Sequence, residues 1–200
     1  ANVAAIDVSD EPLKDLAAEV SASGAQGKVL PMAEDLQIPK NCTNIVSRAV
    51  SAFGSLHGLV NNAGLGLSTI REDYYKRNIK FWEVPEERWQ AIFDVNVRAG
   101  FLLAKSIAPT FLEQDWGRIV NVIGTHAWLA EAHAMPAGVA NAGLLNFTRA
   151  LAELGGPDGV LVNGVNPGTV RTARLEYLIA HGVEYDLDTI TLHRFAEADE

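Results

Sequence analysis

The chain has 200 residues, of which 48% are apolar and 20% charged, and its formal net charge is −9. That size suits one domain with a sizeable core, while the acidic balance excludes nucleic acid and anionic membrane surfaces as partners, since both need a basic face. The lone Cys42 forms no internal disulfide, and neither a bilayer-spanning apolar run nor a signal peptide is visible, so the cytoplasm is the expected location.

Short β-rich apolar runs alternate with longer amphipathic stretches, the pattern of βαβ units around a parallel sheet. Asn2–Ile6 reads as a strand, and Asp10 is placed to cap a helix through Leu13, Leu16, Ala17 and Val20 that ends near Gly24. Lys28–Met32 is the next strand, followed by a helix over 41–53 that ends at Gly54, and then by the strand Leu56–Asn61. Pro85 opens a helix that runs through Trp89, Ile92, Phe93, Val97 and Leu102 to Leu112, with Glu86 and Glu87 in its first turn. Arg118–Ile123 is a strand, Gly138–Leu154 a helix of small residues, Val160–Val165 a strand and Arg171–Ala180 a helix. No repeat or linker divides the chain, so residues 1–200 read as a single domain. It opens at Ala1 directly into an apolar run and stops at Glu200 without a closing strand, which reads as a fragment; removal of an initiator Met is the alternative.

The loop between Leu65 and Val84 is long for such an architecture and holds Arg71, Tyr74, Tyr75, Lys76, Arg77, Phe81 and Trp82. Long loops in compact domains often carry function, and this one leaves the carboxyl end of a strand, where doubly wound sheets bind ligands. Its aromatics suit an apolar small molecule or packing on a neighbouring helix.

Four motifs stand in order: Asn61-Asn62-Ala63-Gly64, Asn96 in a helix, Gly117–Val122, and Asn166-Pro167-Gly168. Through them the whole chain resembles the short-chain dehydrogenase/reductase superfamily. The resemblance implies a Rossmann-type doubly wound α/β/α sheet and an NAD- or NADP-dependent oxidoreductase of alcohols or carbonyls. It places Asp7 on the adenosine ribose, which favours NAD over NADP by repelling a 2′-phosphate. Asp35 and Leu36 would frame the adenine. Asn62, Ala63 and Gly64 would let backbone approach the ribose, while Pro167, Gly168, Val170 and Thr172 would lie along the nicotinamide. The family's Gly-rich pyrophosphate turn and its first strand, which runs between the strands of Asp7 and Leu59, have no counterpart here, so the 200 residues alone are expected to bind NAD poorly and to expose apolar edges.

The chemistry is another matter. The family uses a Tyr acid/base, a Lys that tunes it, a Ser that orients the carbonyl and an Asn in the proton relay. Aligned from the strand before and the helix after, the Ser position falls on Gly124, the Tyr on Ala137 and the Lys on Asn141; Asn96 alone keeps its identity. The related halohydrin dehalogenases put Arg at the Lys position but keep Ser and Tyr, so they offer no parallel. Stand-in acids are His126 and His133, with Glu131 between them and Thr125 beside the Ser position; Tyr74 or Tyr75 could reach in from the long loop. A pocket-lining His is the plainer reading. No third ligand at a telling spacing supports a metal. The helices of Asn96 and Asn141 form the family's dimer interface, which implies a homo-oligomer. The alternative to an enzyme is a catalytically inactive dinucleotide-binding or scaffolding homologue.

Overall fold

A computed structural model describes the backbone of residues 1–200 and every side chain except that of His133. Among the described residues the strands are β1 (Val3–Asp7), β2 (Val29–Ala33), β3 (Gly58–Asn61), β4 (Gly117–Val122) and β5 (Val160–Val165). They alternate with α1 (Asp10–Ala22), α2 (Pro39–Phe53), α3 (Glu86–Phe93), α4 (Ala99–Glu113), α5 (Met135–Gly155) and α6 (Ala173–Ala180). All strand pairs are parallel, as expected where helical crossovers return the chain to the same end of a sheet. The α/β reading of the sequence is correct.

The strands form two ladders, β1–β2 and β3–β4–β5, and no backbone bridge joins β1 to β3 among the described residues. One apolar cluster nevertheless spans both: Met32 of β2, Ile45 and Val46 of α2, Ile107 and Phe111 of α4, Ile119 of β4 and Val162 of β5 pack together. Val3 and Val60, on the free edges of β1 and β3, are exposed, and unpaired apolar edges invite association with other strands. Cys42 is fully buried in the same core, and burial pushes its thiol up from the ordinary value.

Element ends depart from expectation where local chemistry overrides periodicity. Ser9, not Asp10, is the N-cap of α1, because Asp7 already turns the chain by accepting from the Ser9 N–H at 2.9 Å. The second helix starts at Pro39, a residue pre-set for a first turn, and β3 is shorter than the run Leu56–Asn61 suggests. The helix expected from Pro85 to Leu112 is two α-helices joined by a π-helical turn over Asp94–Arg98. Thr172 caps α6 by accepting from the Leu175 N–H at 3.3 Å, so that helix starts two residues later than Arg171.

Gly117 opens β4 beside Phe111, and a Cβ there would fall 2.3 Å from the Phe111 ring. The ring is fully buried and has no room to retreat. Gly117→Ala is expected to destabilise the fold by about 1–3 kcal/mol through overpacking, read as a lower urea midpoint with unchanged slope.

Candidate active site

The carboxyl ends of β3, β4 and β5 open on a cleft of about 740 Å³. Each lining segment arrives there for a local reason. After β3 the small residues Asn62, Ala63 and Gly64 form one wall. After β4 the chain makes a short 3₁₀ turn at Thr125–Ala127 that presents His126. After β5, Gly168 and Thr172 form the opposite wall, and α6 begins.

A buried polar chain fixes these ends relative to one another. Asn61 donates through Nδ2 to Asn121 Oδ1 at 2.8 Å, Asn121 donates to Thr148 Oγ1 at 2.8 Å, and Thr148 donates to the Leu144 carbonyl at 2.7 Å. This chain ties β3 to β4 and β4 to α5. Asn121 is fully buried and Thr148 nearly so, and such groups are tolerated only when hydrogen-bonded. Asn121 belongs to the Gly117–Val122 motif, but its buried bonds were not legible there, and Thr148 was not singled out from sequence.

Asn96 sits inside the π-helical turn and clamps the backbone beyond β3. Its Oδ1 accepts from the Leu65 N–H at 2.7 Å and its Nδ2 donates to the Leu65 carbonyl at 3.0 Å. Gly64 lies against the same amide, 3.6 Å from where its Cβ would be. Asn96 therefore holds the wall of the cleft.

Gly124, Ala137 and Asn141 meet in space. Asn141 accepts from the Gly124 N–H at 2.6 Å and donates to the Ala137 carbonyl at 2.8 Å. The three positions form a stitch between the end of β4 and the first turns of α5, with no titratable group among them. His126 lines the cleft nearby, and its Nε2 lies 3.3 Å from Glu131 Oε2. His133 is in the short turn Ala132–Ala134, and its side chain lies outside the described residues.

The loop from Leu65 to Val84 folds back over the cleft and contributes Tyr74 and Tyr75. Arg174 Nη2 donates to Tyr74 Oη at 2.9 Å. Tyr75 packs edge-on against Tyr177 and His181, which stack with ring centres 4.0 Å apart. Hydrogen bonding with Tyr75 raises the Tyr177 phenol above its usual value. Tyr185 lines the far side, and burial raises its phenol as well. Sequence reading found the loop but not Arg174 or Tyr185, whose partners stand far away in the chain.

The remaining expected cofactor positions have local partners. Asp35 turns the chain into α2 by accepting from the Gln37 N–H at 2.8 Å. Leu36 is part of the core. Pro167 precedes the wall, and Val170 bridges to Ala196, with Arg171 donating to the Ala196 carbonyl at 2.7 Å. Near it Arg194 donates to Glu200, which keeps the Glu200 carboxyl down at about 2. Asp7 is exposed at the end of β1, and neither Asp7 nor Asp35 lines the cleft. No group of three or more potential metal ligands exists among the described residues.

The short chain dehydrogenase family model matches residues 1–181, and the chain belongs to that family. It is 30% identical over 201 residues to the 3-oxoacyl-acyl-carrier-protein reductase of Thermotoga maritima, covering 100% of this chain and 76% of that one. Among solved structures, NAD⁺-bound xylitol dehydrogenase superposes with a TM-score of 0.81 at 21% identity, over 98% of this chain and 77% of that one. A gluconate 5-dehydrogenase from Burkholderia cenocepacia, in complex with NADP and tartrate, gives a TM-score of 0.82 at 19% identity, over 98% and 73%. These structural likenesses carry the fold; their shared ligand class is a nicotinamide dinucleotide.

Asn96→Ala removes both bonds to Leu65 and leaves a partly buried backbone unpaired. The expected loss is about 1–3 kcal/mol, and amide exchange at Leu65 should accelerate more than exchange in β4. Equal acceleration at both sites would mean that Asn96 does not hold this wall.

Proposed function

We propose that this protein is a nicotinamide-dinucleotide-dependent oxidoreductase of an alcohol or carbonyl substrate, working with altered acid/base residues. The observation that carries the reading is the cleft itself. Its walls keep the small residues Ala63, Gly64 and Gly168, and a Cβ at Gly168 would meet nothing within 4 Å, so a flat ring has room to approach the backbone there. Membership of the family supports the same class of chemistry.

When bound, the cofactor supplies or accepts a hydride at the carbon being reduced or oxidised. The chain must hold the cofactor and manage the proton on the substrate oxygen. In this reading Asp7, Asp35, Leu36, Asn62, Ala63 and Gly64 hold the adenosine half, and Pro167, Gly168, Val170 and Thr172 hold the nicotinamide half. The exposed Asp7 carboxylate supports NAD over NADP by charge repulsion. His126 is the side chain on the cleft wall best suited to the proton: it can take it from an alcohol or give it to a carbonyl oxygen, with Glu131 holding the ring in place. Asn96 is a positioning residue in this reading. Apolar Phe101 on α4 and Val139 on α5 are exposed and support a homo-oligomer through those helices.

A second reading has its own observation. Both ends of the Asn141 amide are consumed by backbone at Gly124 and Ala137, so the place of the family's acid/base group is filled by a structural stitch. This favours a catalytically silent dinucleotide-binding or scaffolding homologue.

NADH oxidation with a panel of aldehydes and ketones separates the two. Slow turnover that falls about 10²-fold or more in His126→Gln supports the first reading, with His133→Gln as the parallel variant; an unchanged rate in both removes the substitute acid. NADH binding without turnover favours the silent homologue. Gly124→Ser combined with Ala137→Tyr and Asn141→Lys is expected to raise the rate by about 10²-fold, read in the same assay.

A further inference from the structure

The described side chains that line the cleft include no Asp, Glu or Lys, and Arg174 carries the one permanent charge among them. This occurs in a chain whose net charge is −9. Other arginines around the cleft are neutralised: Arg171 lies 2.5 Å from Glu176 and 3.2 Å from Glu197, Arg71 lies 3.1 Å from Asp73, and Arg77 lies 2.8 Å from Glu83. Arg174 has no such partner among the described residues. Its guanidinium bonds the neutral Tyr74 hydroxyl at 2.9 Å and rests 5.7 Å from the centre of the same ring.

The position is also shaped for that group. A Cβ at Gly66 would fall 3.2 Å from Nη1 and 3.5 Å from Nη2, so the absence of a side chain at Gly66 lets the fork lie flat over the loop. One N–H is used by Tyr74, and the others of the fork keep their donor capacity. A planar guanidinium held by a phenol and left without a counter-charge is matched by a bidentate oxyanion.

We propose that Arg174 is the anion-recognition residue of this cleft and selects substrates that carry a carboxylate alongside the reacting alcohol or carbonyl. The proposal rests on the reading of this cleft as a substrate site. The same guanidinium chemistry would also suit the phosphates of the dinucleotide, and the experiment separates the two sources.

The test measures binding rather than turnover. Affinities of 4-oxopentanoate and its neutral analogue 4-oxopentanamide are measured by calorimetry on the 200-residue protein, with and without NADH, and NADH affinity is measured by fluorescence. The expected result is about tenfold tighter binding of the acid by the unaltered protein. Arg174→Gln should bring the two ligands within about twofold and leave NADH affinity unchanged. Arg174→Lys, which keeps the charge but loses the fork, should retain part of the preference, and Tyr74→Phe should reduce it. Equal binding of acid and amide by the unaltered protein overturns the proposal without need of any variant. A preference that survives Arg174→Gln overturns it too. Weakened NADH binding in Arg174→Gln, with the acid preference intact, assigns the guanidinium to the cofactor and also overturns it. A missing NADH turnover counts against the oxidoreductase reading alone, since the acid preference is read without it.

Discussion

The fully buried side chain of Asn121 is the constraint on which the cleft depends. It points into a core where an unpaired amide would cost several kcal/mol, so the groups around it must come to it. Asn61 approaches from β3 and Thr148 from α5, and Thr148 passes the chain on to the Leu144 carbonyl. The result fixes the lateral position of β3 against β4 and the height of α5 over both. Since the ends of those strands form the walls of the cleft, a purely structural hydrogen-bond chain sets the distance between Gly64, Gly124 and the start of α5. Gly100 completes the arrangement: its missing side chain leaves 3.4 Å between a would-be Cβ and the Asn61 amide. Each Nδ2 or hydroxyl in the chain would be a buried donor without a partner if its neighbour were removed, as the Asn61 Oδ1 already is on the acceptor side, so the bonds depend on one another.

The alternation of apolar runs made the layers legible in the sequence, and β5 in particular has the ends that periodicity gives it. Helix starts were less legible, since caps depend on single contacts: the carboxylate of Asp7 reaching Ser9 moves the first helix start, and the Thr172 hydroxyl moves the last. The π-helical turn at Asp94–Arg98 leaves no mark in a pattern read at 3.6 residues per turn. At the site, the convergence of Gly124, Ala137 and Asn141 followed from the family resemblance, whose site positions fall on these residues. Arg174 and Tyr74 did not, because they stand 100 residues apart and meet only when a loop folds back over α6. Short-range order is written in neighbours; contacts between a loop and a distant helix are written nowhere in particular.

Two chemical characters therefore share one cleft. Where β4 meets α5, the Asn141 amide stitches the backbone of Gly124 to that of Ala137, with His126 and Glu131 in the segment between. The side formed by the long loop and α6 has gathered aromatic rings, two phenols raised by their surroundings and a guanidinium without a counter-charge. The two sides are built by different elements, and the segment that leads into α6 is paired at Val170 with Ala196.

The π-helical turn carries a consequence for how this chain can tolerate change. One residue more than an α-helical repeat requires is stored between α3 and α4, because the wider turn closes its hydrogen bonds one residue further along. Removing it would leave a continuous helix with α4 still in phase with α3, so Ile107 and Phe111 would keep their places in the core. Asn96, which sits inside the turn, would lose its aim at Leu65. A one-residue deletion here is therefore a local lesion of the cleft wall, and the fold can outlive the loss of the clamp that the extra residue makes possible.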